Sequence, residues 1–290
     1  MAEILITGGA GNFGRTLAES LRPRGHEIRI FDLPNCNFEV FREWEKTQIY
    51  TGDISDMATL IRPVQGADLI FHLAAILPPA SEEDKERTFR VNVQGTLNLL
   101  EACAACGGRP RIVFASSVSV YGDTSGHPGL IGPDHPVNPN DWYAESKVEA
   151  EQLLMASGLP LANLRISGIV IPAFLDPPEP WPFMGKQRIE LLALSDLVKA
   201  MTSLAEGKET AFGRTLLLAG GPQWQVTGEE YVTRWGKVMD IPQEDMEFLD
   251  RPGWLNWYDT SESEGLLDYQ RTSLDDFFQK LEKAVQEALA

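Results

Sequence analysis

The strand-like stretch EILIT (3–7) runs directly into TGGAGNFG (7–14), and a helical pattern begins where the glycines end. Gly8, Gly11 and Gly14 satisfy a G-x-x-G-x-x-G spacing, while Gly9, Gly11 and Gly14 satisfy G-x-G-x-x-G. Both spacings meet one demand: a tight turn out of the strand, a floor without Cβ atoms that a pyrophosphate can approach, and close packing of helix on strand. The helix start then offers free N–H groups and the positive end of its dipole to phosphates. Glycine-rich turns are common, so the reading rests equally on residues further along the chain.

Asp32 closes the next strand pattern, 18 residues beyond Gly14, where a carboxylate can accept hydrogen bonds from adenosine ribose hydroxyls. The competing use of such an aspartate is to form a turn or cap a helix. Glycines, strand order and spacing together favour a dinucleotide site built from Gly8, Gly11, Asn12, Phe13, Gly14 and Asp32. Leu33 and Pro34 come next, without a basic residue to hold a 2′-phosphate, which favours NAD over NADP. Arg15, just past the third glycine, argues the other way.

Short apolar runs at 3–7, 28–32, 68–73, 111–115 and 161–166 read as strands, and helical patterns at about 13–23, 56–64, 86–106 and 141–157 lie between them. Such alternation predicts right-handed crossovers and a mostly parallel sheet covered on both faces, a doubly wound Rossmann-like α/β fold. From about residue 170 the character changes. The proline-rich IPAFLDPPEPWPF (171–183) is predicted as a stiff loop. Beyond it the patterns give a helix at 195–206, a strand at 214–218, a helix from about Gly228 and a final amphipathic helix at 274–289. The expected organisation is a dinucleotide-binding domain at 1–166, revisited near 190–220, and a small α/β substrate-binding lid at 167–290.

A net charge of −17 argues against nucleic acid or an anionic membrane as partner, because neutralising phosphates requires surplus Lys and Arg. Residues 240–290 hold 13 Asp/Glu against 4 Lys/Arg, which reads as a solvated acidic face. Charges interrupt every apolar run and no leader-like segment opens the chain, so a soluble, cytoplasmic protein is expected. Cys36, Cys103 and Cys106 are too few and too unevenly placed for a disulfide framework. Cys103 and Cys106 spell C-x-x-C, but near the end of a helix and with no second ligand pair, so no metal site is expected.

Two further segments carry chemistry. The fourth strand of the alternation runs into ASSVSVYG (115–122), whose hydroxyls would face the same cleft as the glycine turn. The next helix opens with DWYAESK (141–147), in which Asp141 is a fitting N-cap and Tyr143 and Lys147 share one helical face at i and i+4. Alone, such a pair is an ordinary helix stabiliser. Behind a dinucleotide turn it reads differently. A phenol with a pKa near 10 is a poor base at neutral pH, and a neighbouring ammonium favours its ionised form. Loss of a hydride from a secondary alcohol must be matched by loss of the hydroxyl proton, and a serine donating to the same oxygen would steady it.

In motif order over residues 3 to 220 the chain resembles the extended short-chain dehydrogenases/reductases, in their NAD-dependent epimerase/dehydratase branch. The resemblance rests on TGGAGNFG, Asp32, GDISD (52–56), HLAA (72–75), NVQGT (92–96), SSVSVYG (116–122), YAESK (143–147) and LRISGIVIP (164–172). It implies that Tyr143 is the catalytic acid/base, that Lys147 lowers its pKa and bonds the nicotinamide ribose, and that Ser117 is the catalytic Ser/Thr. It further implies cofactor contacts from Asp53 and Ile54 at the adenine, from Leu73, Ala74 and Ala75 along the cofactor, and from Asn92 and Ala115. Asp53 has a competing role as a cap for the 56–64 helix. The resemblance also implies a homodimer paired through the helices at about 86–106 and 141–157.

One departure narrows the chemistry. Family members that dehydrate or decarboxylate nucleotide sugars usually carry Asp or Glu after the catalytic Ser/Thr, where this chain has Val118 and Ser119. Simple dehydrogenation, reduction or epimerisation is left, on a small-molecule substrate. The leading expectation is NAD-dependent hydride transfer at a secondary alcohol of a sugar or sugar nucleotide. The alternatives are a ketone or aldehyde reductase of the hydroxysteroid or flavonol kind and a non-catalytic dinucleotide sensor, the last opposed by the presence of both Tyr143 and Lys147. Ser119, Pro79, Ser81 and Trp181 are the expected substrate contacts. Five late arginines, Arg188, Arg214, Arg234, Arg251 and Arg271, have no assignable diphosphate role.

Overall fold

A computed structural model describes residues 1–290. Seven parallel strands form one sheet in the order β3-β2-β1-β4-β5-β6-β10, where β1 is Glu3–Thr7, β2 Glu27–Asp32, β3 Thr47–Thr51, β4 Leu69–His72, β5 Arg111–Ser117, β6 Leu161–Ile166 and β10 Arg214–Leu218. The order reverses between β1 and β4, which opens a crevice at the carboxyl ends of those strands. The intervening helices are α1 (Asn12–Leu21), α2 (Glu39–Arg42), α3 (Met57–Val64), α4 (Lys85–Phe89), α5 (Gly95–Ala105), α6 (Trp142–Ala156) and α7 (Leu194–Ala205). Helices α1 and α7 bury one sheet face, with Leu17, Leu21, Leu197 and Met201 against Ile4, Ile30 and Leu164. Helices α3, α5 and α6 bury the other through Leu60, Leu99, Ala150 and Leu154.

The sheet thus has the expected doubly wound Rossmann-like form, with three local differences. The edge strand β3 was not expected, because none of its residues is fully buried and Ile49 is its only aliphatic residue. Short helix α2 likewise has a single buried residue, Phe41. The helix expected over 86–106 is broken by a π-turn at Arg90–Gln94, between α4 and α5.

Beyond β6 the chain leaves the sheet and rejoins it at β10. Strands β7 (Gly168–Val170) and β9 (Leu191–Ala193) pair with each other, as do β8 (Arg188–Ile189) and β11 (Val226–Thr227). With α8 (Gly228–Met239) and α10 (Leu274–Leu289) they surround a separate aromatic cluster that includes Trp181, Phe183, Trp224, Tyr231, Trp235, Phe277 and Phe278, whereas α9 (Ser261–Leu267) packs Leu266 and Leu267 into the core of the main sheet. The proline-rich loop meets this layer through a backbone bridge from Trp181 to Phe248. No helix is long and apolar enough to cross a membrane. Cys103 is buried, its thiol pushed up to about 12, and Cys106 Sγ donates to the Ile61 carbonyl at 3.5 Å, so the C-x-x-C pair is packed into the α3–α5 contact.

Candidate active site

The glycine turn has the shape its spacing predicts. Gly8 adopts φ +69°, and a Cβ there would meet the Ala74 backbone nitrogen at 2.9 Å. A Cβ on Gly14 would strike the Gly8 carbonyl at 2.4 Å, so this glycine lets α1 lie against the strand end. Gly11 differs: its Cβ would meet only the Gly8 carbonyl, at 3.4 Å. Gly11 is also the N-cap of α1 and supplies no side-chain cap, so the first-turn N–H groups face an open floor. Asp32 is drawn into the same turn, its Oδ2 accepting from the Ala10 N–H and its Oδ1 from the Leu33 N–H. These features fit a dinucleotide on an observation independent of family: an uncapped helix start, a Cβ-free floor and a fixed carboxylate lie along one cleft.

That cleft has a volume of 1110 Å³ and runs from the glycine turn to the aromatic layer. Asn12, Phe13, Asp53, Ile54, Leu73, Ala74, Ala75 and Ala115 line it, together with Ser117, Ser119, Tyr143, Lys147 and Trp181. Three expected contacts lie elsewhere. Pro79 is not part of the lining, and Ser81 is fully buried, its Oγ donating to Glu82 Oε1 at 2.9 Å. Asn92 is buried behind the wall, where Oδ1 accepts from the Ile76 N–H and Nδ2 donates to the Ile76 carbonyl and to Ser146 Oγ. It shapes the loop after β4 from behind. Asp53 forms a turn with Ser55, and Asp56 is the cap of α3.

Tyr143 and Lys147 stand on the first turns of α6, which is capped twice. Asp141 Oδ1 accepts from the Ala144 N–H at 2.7 Å, as its sequence position predicts. Glu82, from the turn before α4, accepts from the N–H groups of both Trp142 and Tyr143 at 3.0 Å. Sequence reasoning missed Glu82 because nothing local marks a cap supplied from 60 residues away. Lys147 Nζ donates to the Ala115 carbonyl at 2.8 Å and sits 4.7 Å from the Phe114 ring centroid and 5.6 Å from that of Tyr143.

Burial governs the charge states of this pair. It pushes the Tyr143 phenol up, opposed by the Ser117 hydroxyl beside it, and it pulls Lys147 down to about 7, opposed by Glu151. Desolvation is thus the largest influence on the phenol, and the neighbour that opposes it is Ser117. Glu151, one turn beyond Lys147 on the same face, is itself held by Arg165 at 2.7 Å and by Ser116 Oγ at 2.5 Å. Its i+8 spacing from Tyr143 was legible in the sequence. At the switch point His72 bonds Thr7 Oγ1 at 2.8 Å and Thr96 Oγ1 at 2.9 Å, and burial lowers its pKa to about 3, so it stays neutral and ties β1, β4 and α5 together.

Ser117 Oγ accepts from the Ser119 N–H at 3.1 Å, which leaves its own proton to donate elsewhere. Ser119 Oγ is buried without any partner. Val118, at the position where dehydrating relatives carry an acid, is fully buried in an apolar cluster. None of the five late arginines lines the cleft. Arg214, Arg234 and Arg271 pair with Glu262, Asp275 and Asp268, and Arg188 donates to the Pro128 carbonyl and stacks on Trp257.

With this fold and site the chain belongs to the NAD dependent epimerase/dehydratase family, whose profile matches residues 4–173. Among its relatives are the 3 beta-hydroxysteroid dehydrogenase/Delta 5→4-isomerase of Mycobacterium tuberculosis, 36% identical over 58% of this chain and 47% of the relative, and the D-erythronate dehydrogenase of Cupriavidus necator, 34% identical over 52% and 49%. The chain spans about half the length of the curated relatives it matches. Its fold is shared with a short-chain dehydrogenase/reductase superfamily protein from Agrobacterium tumefaciens with bound NAD (TM-score 0.82, 22% identity, 99% of this chain and 98% of that one). It is shared equally with the UDP-glucuronic acid 4-epimerase of Bacillus cereus in complex with UDP-glucuronic acid and NAD (TM-score 0.82, 22% identity, 99% of each chain).

Proposed function

We propose that the protein is an NAD-dependent dehydrogenase/reductase that interconverts a secondary alcohol and its ketone on a mainly apolar substrate. The observation that carries this reading is the division of the cleft. All of its charged lining residues, Asp32, Asp53, Arg87, Arg90, Asp141 and Lys147, precede residue 150, whereas the part contributed by β7, the proline-rich loop, α8 and the 254–255 segment is uncharged. There Ile169, Trp181, Phe183, Leu191, Trp254 and Leu255 form the wall. A sugar diphosphate would meet no cation in that part of the wall, so the lining favours a neutral, ring-bearing alcohol over a nucleotide sugar. The 3β-hydroxysteroid dehydrogenases among the relatives support the same choice.

When bound, the dinucleotide supplies the two-electron acceptor for the carbinol hydrogen. Asp32 receives the adenosine ribose hydroxyls, the α1 N-terminus receives the pyrophosphate, and the absence of a basic partner beside Asp32 favours NAD over NADP. Ser117 donates to the substrate oxygen, Tyr143 exchanges the hydroxyl proton, and Lys147 places positive charge near the phenol. Tyr143→Phe is expected to lower turnover by about a hundredfold or more while leaving cofactor affinity intact. The check is NADH absorbance with hydroxysteroids and, in parallel, UDP-sugars. Turnover that survives in the Phe variant removes Tyr143 from the mechanism; conversion of UDP-sugars without net NADH, and none of hydroxysteroids, replaces this reading with an epimerase.

A further inference from the structure

The apolar part of the cleft contains a second phenol, one that proton exchange at Tyr143 does not use. Tyr231 stands on the first turn of α8, lines the cleft and is only 3% exposed. Its ring is fixed on two sides, 6.0 Å from Trp181 edge-on and 5.5 Å from Phe278. Its hydroxyl takes no hydrogen bond from the protein, although the buried phenols of Tyr121, Tyr258 and Tyr269 each have at least one protein partner. A purely structural aromatic in this cluster would be served by Phe, as at Phe183, Phe277 and Phe278. A buried phenol usually finds a partner; this hydroxyl is not sealed in the interior and opens onto the cleft, where water or a polar group of the ligand can pair with it.

The placement of this hydroxyl says where that group lies on the substrate. Tyr143 and Ser117 stand on α6 and β5, beside the sheet, whereas Tyr231 stands on α8 in the aromatic layer that supplies the uncharged part of the same cleft's wall. We propose that Tyr231 hydrogen-bonds a second oxygen, a ketone or hydroxyl, at the end of the substrate remote from the reacting carbon. The substrate class is then an apolar ring system with an oxygen at each end, one read by Tyr143 and Ser117 and the other by Tyr231. This rests on the reading of the cleft as an apolar alcohol site.

The test compares epiandrosterone with its deoxo analogue lacking the ring-D ketone. Their affinities are measured by quenching of the cleft tryptophans Trp181 and Trp254, in NAD-loaded Tyr143→Phe protein so that no turnover intervenes. Epiandrosterone is expected to bind about tenfold more tightly than the deoxo compound, and adding Tyr231→Phe is expected to bring the two within about twofold. Equal binding of the two before Tyr231 is changed overturns the proposal, as does a preference that survives Tyr231→Phe or a variant that weakens both ligands alike. Those outcomes leave the apolar-alcohol reading in place. Failure of both steroids to bind overturns both.

Discussion

Lys147 is buried with a single hydrogen bond, to Ala115, and the attraction of Glu151 does not prevent burial from lowering its pKa to about 7. That value lies below the unfolded one of about 10.4, so the folded chain holds fewer protons between the two; stability from this group rises with pH through that window and is least below it. Lys147→Met should therefore stabilise the cofactor-free protein by roughly 1–2 kcal/mol near pH 6 and by clearly less near pH 9, while turnover is lost. Urea unfolding at both pH values measures this, and an equal gain at both refutes it. Ser119 has the reverse profile, because its unpartnered hydroxyl does nothing for the free protein. Ser119→Ala should leave the melting temperature unchanged or slightly raised and lower kcat/KM by about tenfold, whereas a loss of stability would mean the hydroxyl is bonded within the protein. The spacing of Tyr143, Lys147 and Ser117 was legible because each sits in a local motif; the charge balance was not, since burial is set by Phe114 and the surrounding sheet, which no motif encodes.

At the level of elements, the start of α6 decides whether Tyr143 faces the cleft. Asp141 was readable as its cap, but Glu82 accepts from the N–H of Tyr143 itself and arrives from a separate turn, where Ser81 holds its carboxylate. Ser81 thus acts through the helix cap and not on substrate. Glu82→Ala should cost about 1 kcal/mol by thermal unfolding and reduce kcat more than it raises KM, with Glu82→Gln restoring part of both. If KM alone moves, Glu82 has no part in placing the phenol. The π-turn at Arg90–Gln94 is a second element-level feature hidden from periodicity. It brings Asn92 onto Ile76 and Ser146 at once, joining the loop after β4 to α6, and such turns add one residue that a 3.6-residue period does not register.

At the scale of the whole molecule, the sheet was legible and the layer above it less so, for a physical reason. Parallel strands buried on both faces read as apolar runs, whereas β7, β8, β9 and β11 have two or three residues each and are held by long-range polar contacts. The chief of these is Glu190, fully buried between β8 and β9. Its Oε1 accepts from the Gly221 N–H at 2.8 Å, and its Oε2 accepts from the Tyr258 N–H at 2.9 Å and from Gln225 Nε2 at 3.0 Å. No cation pairs with it, and burial outweighs the three donors to raise its pKa to about 7. The folded value exceeds the unfolded one of about 4.3, so between them the folded chain holds the proton more tightly, and stability from this group falls as pH rises through that window. Glu190→Gln removes the titration but also turns an amide N–H toward groups that already donate, so it destabilises at every pH. The loss relative to the unaltered protein should be larger near pH 5 than near pH 8, because only the unaltered protein carries the declining contribution. Urea unfolding of both proteins across that range gives the difference directly; a loss independent of pH would show that Glu190 stays ionised throughout, its three donors having overcome the burial.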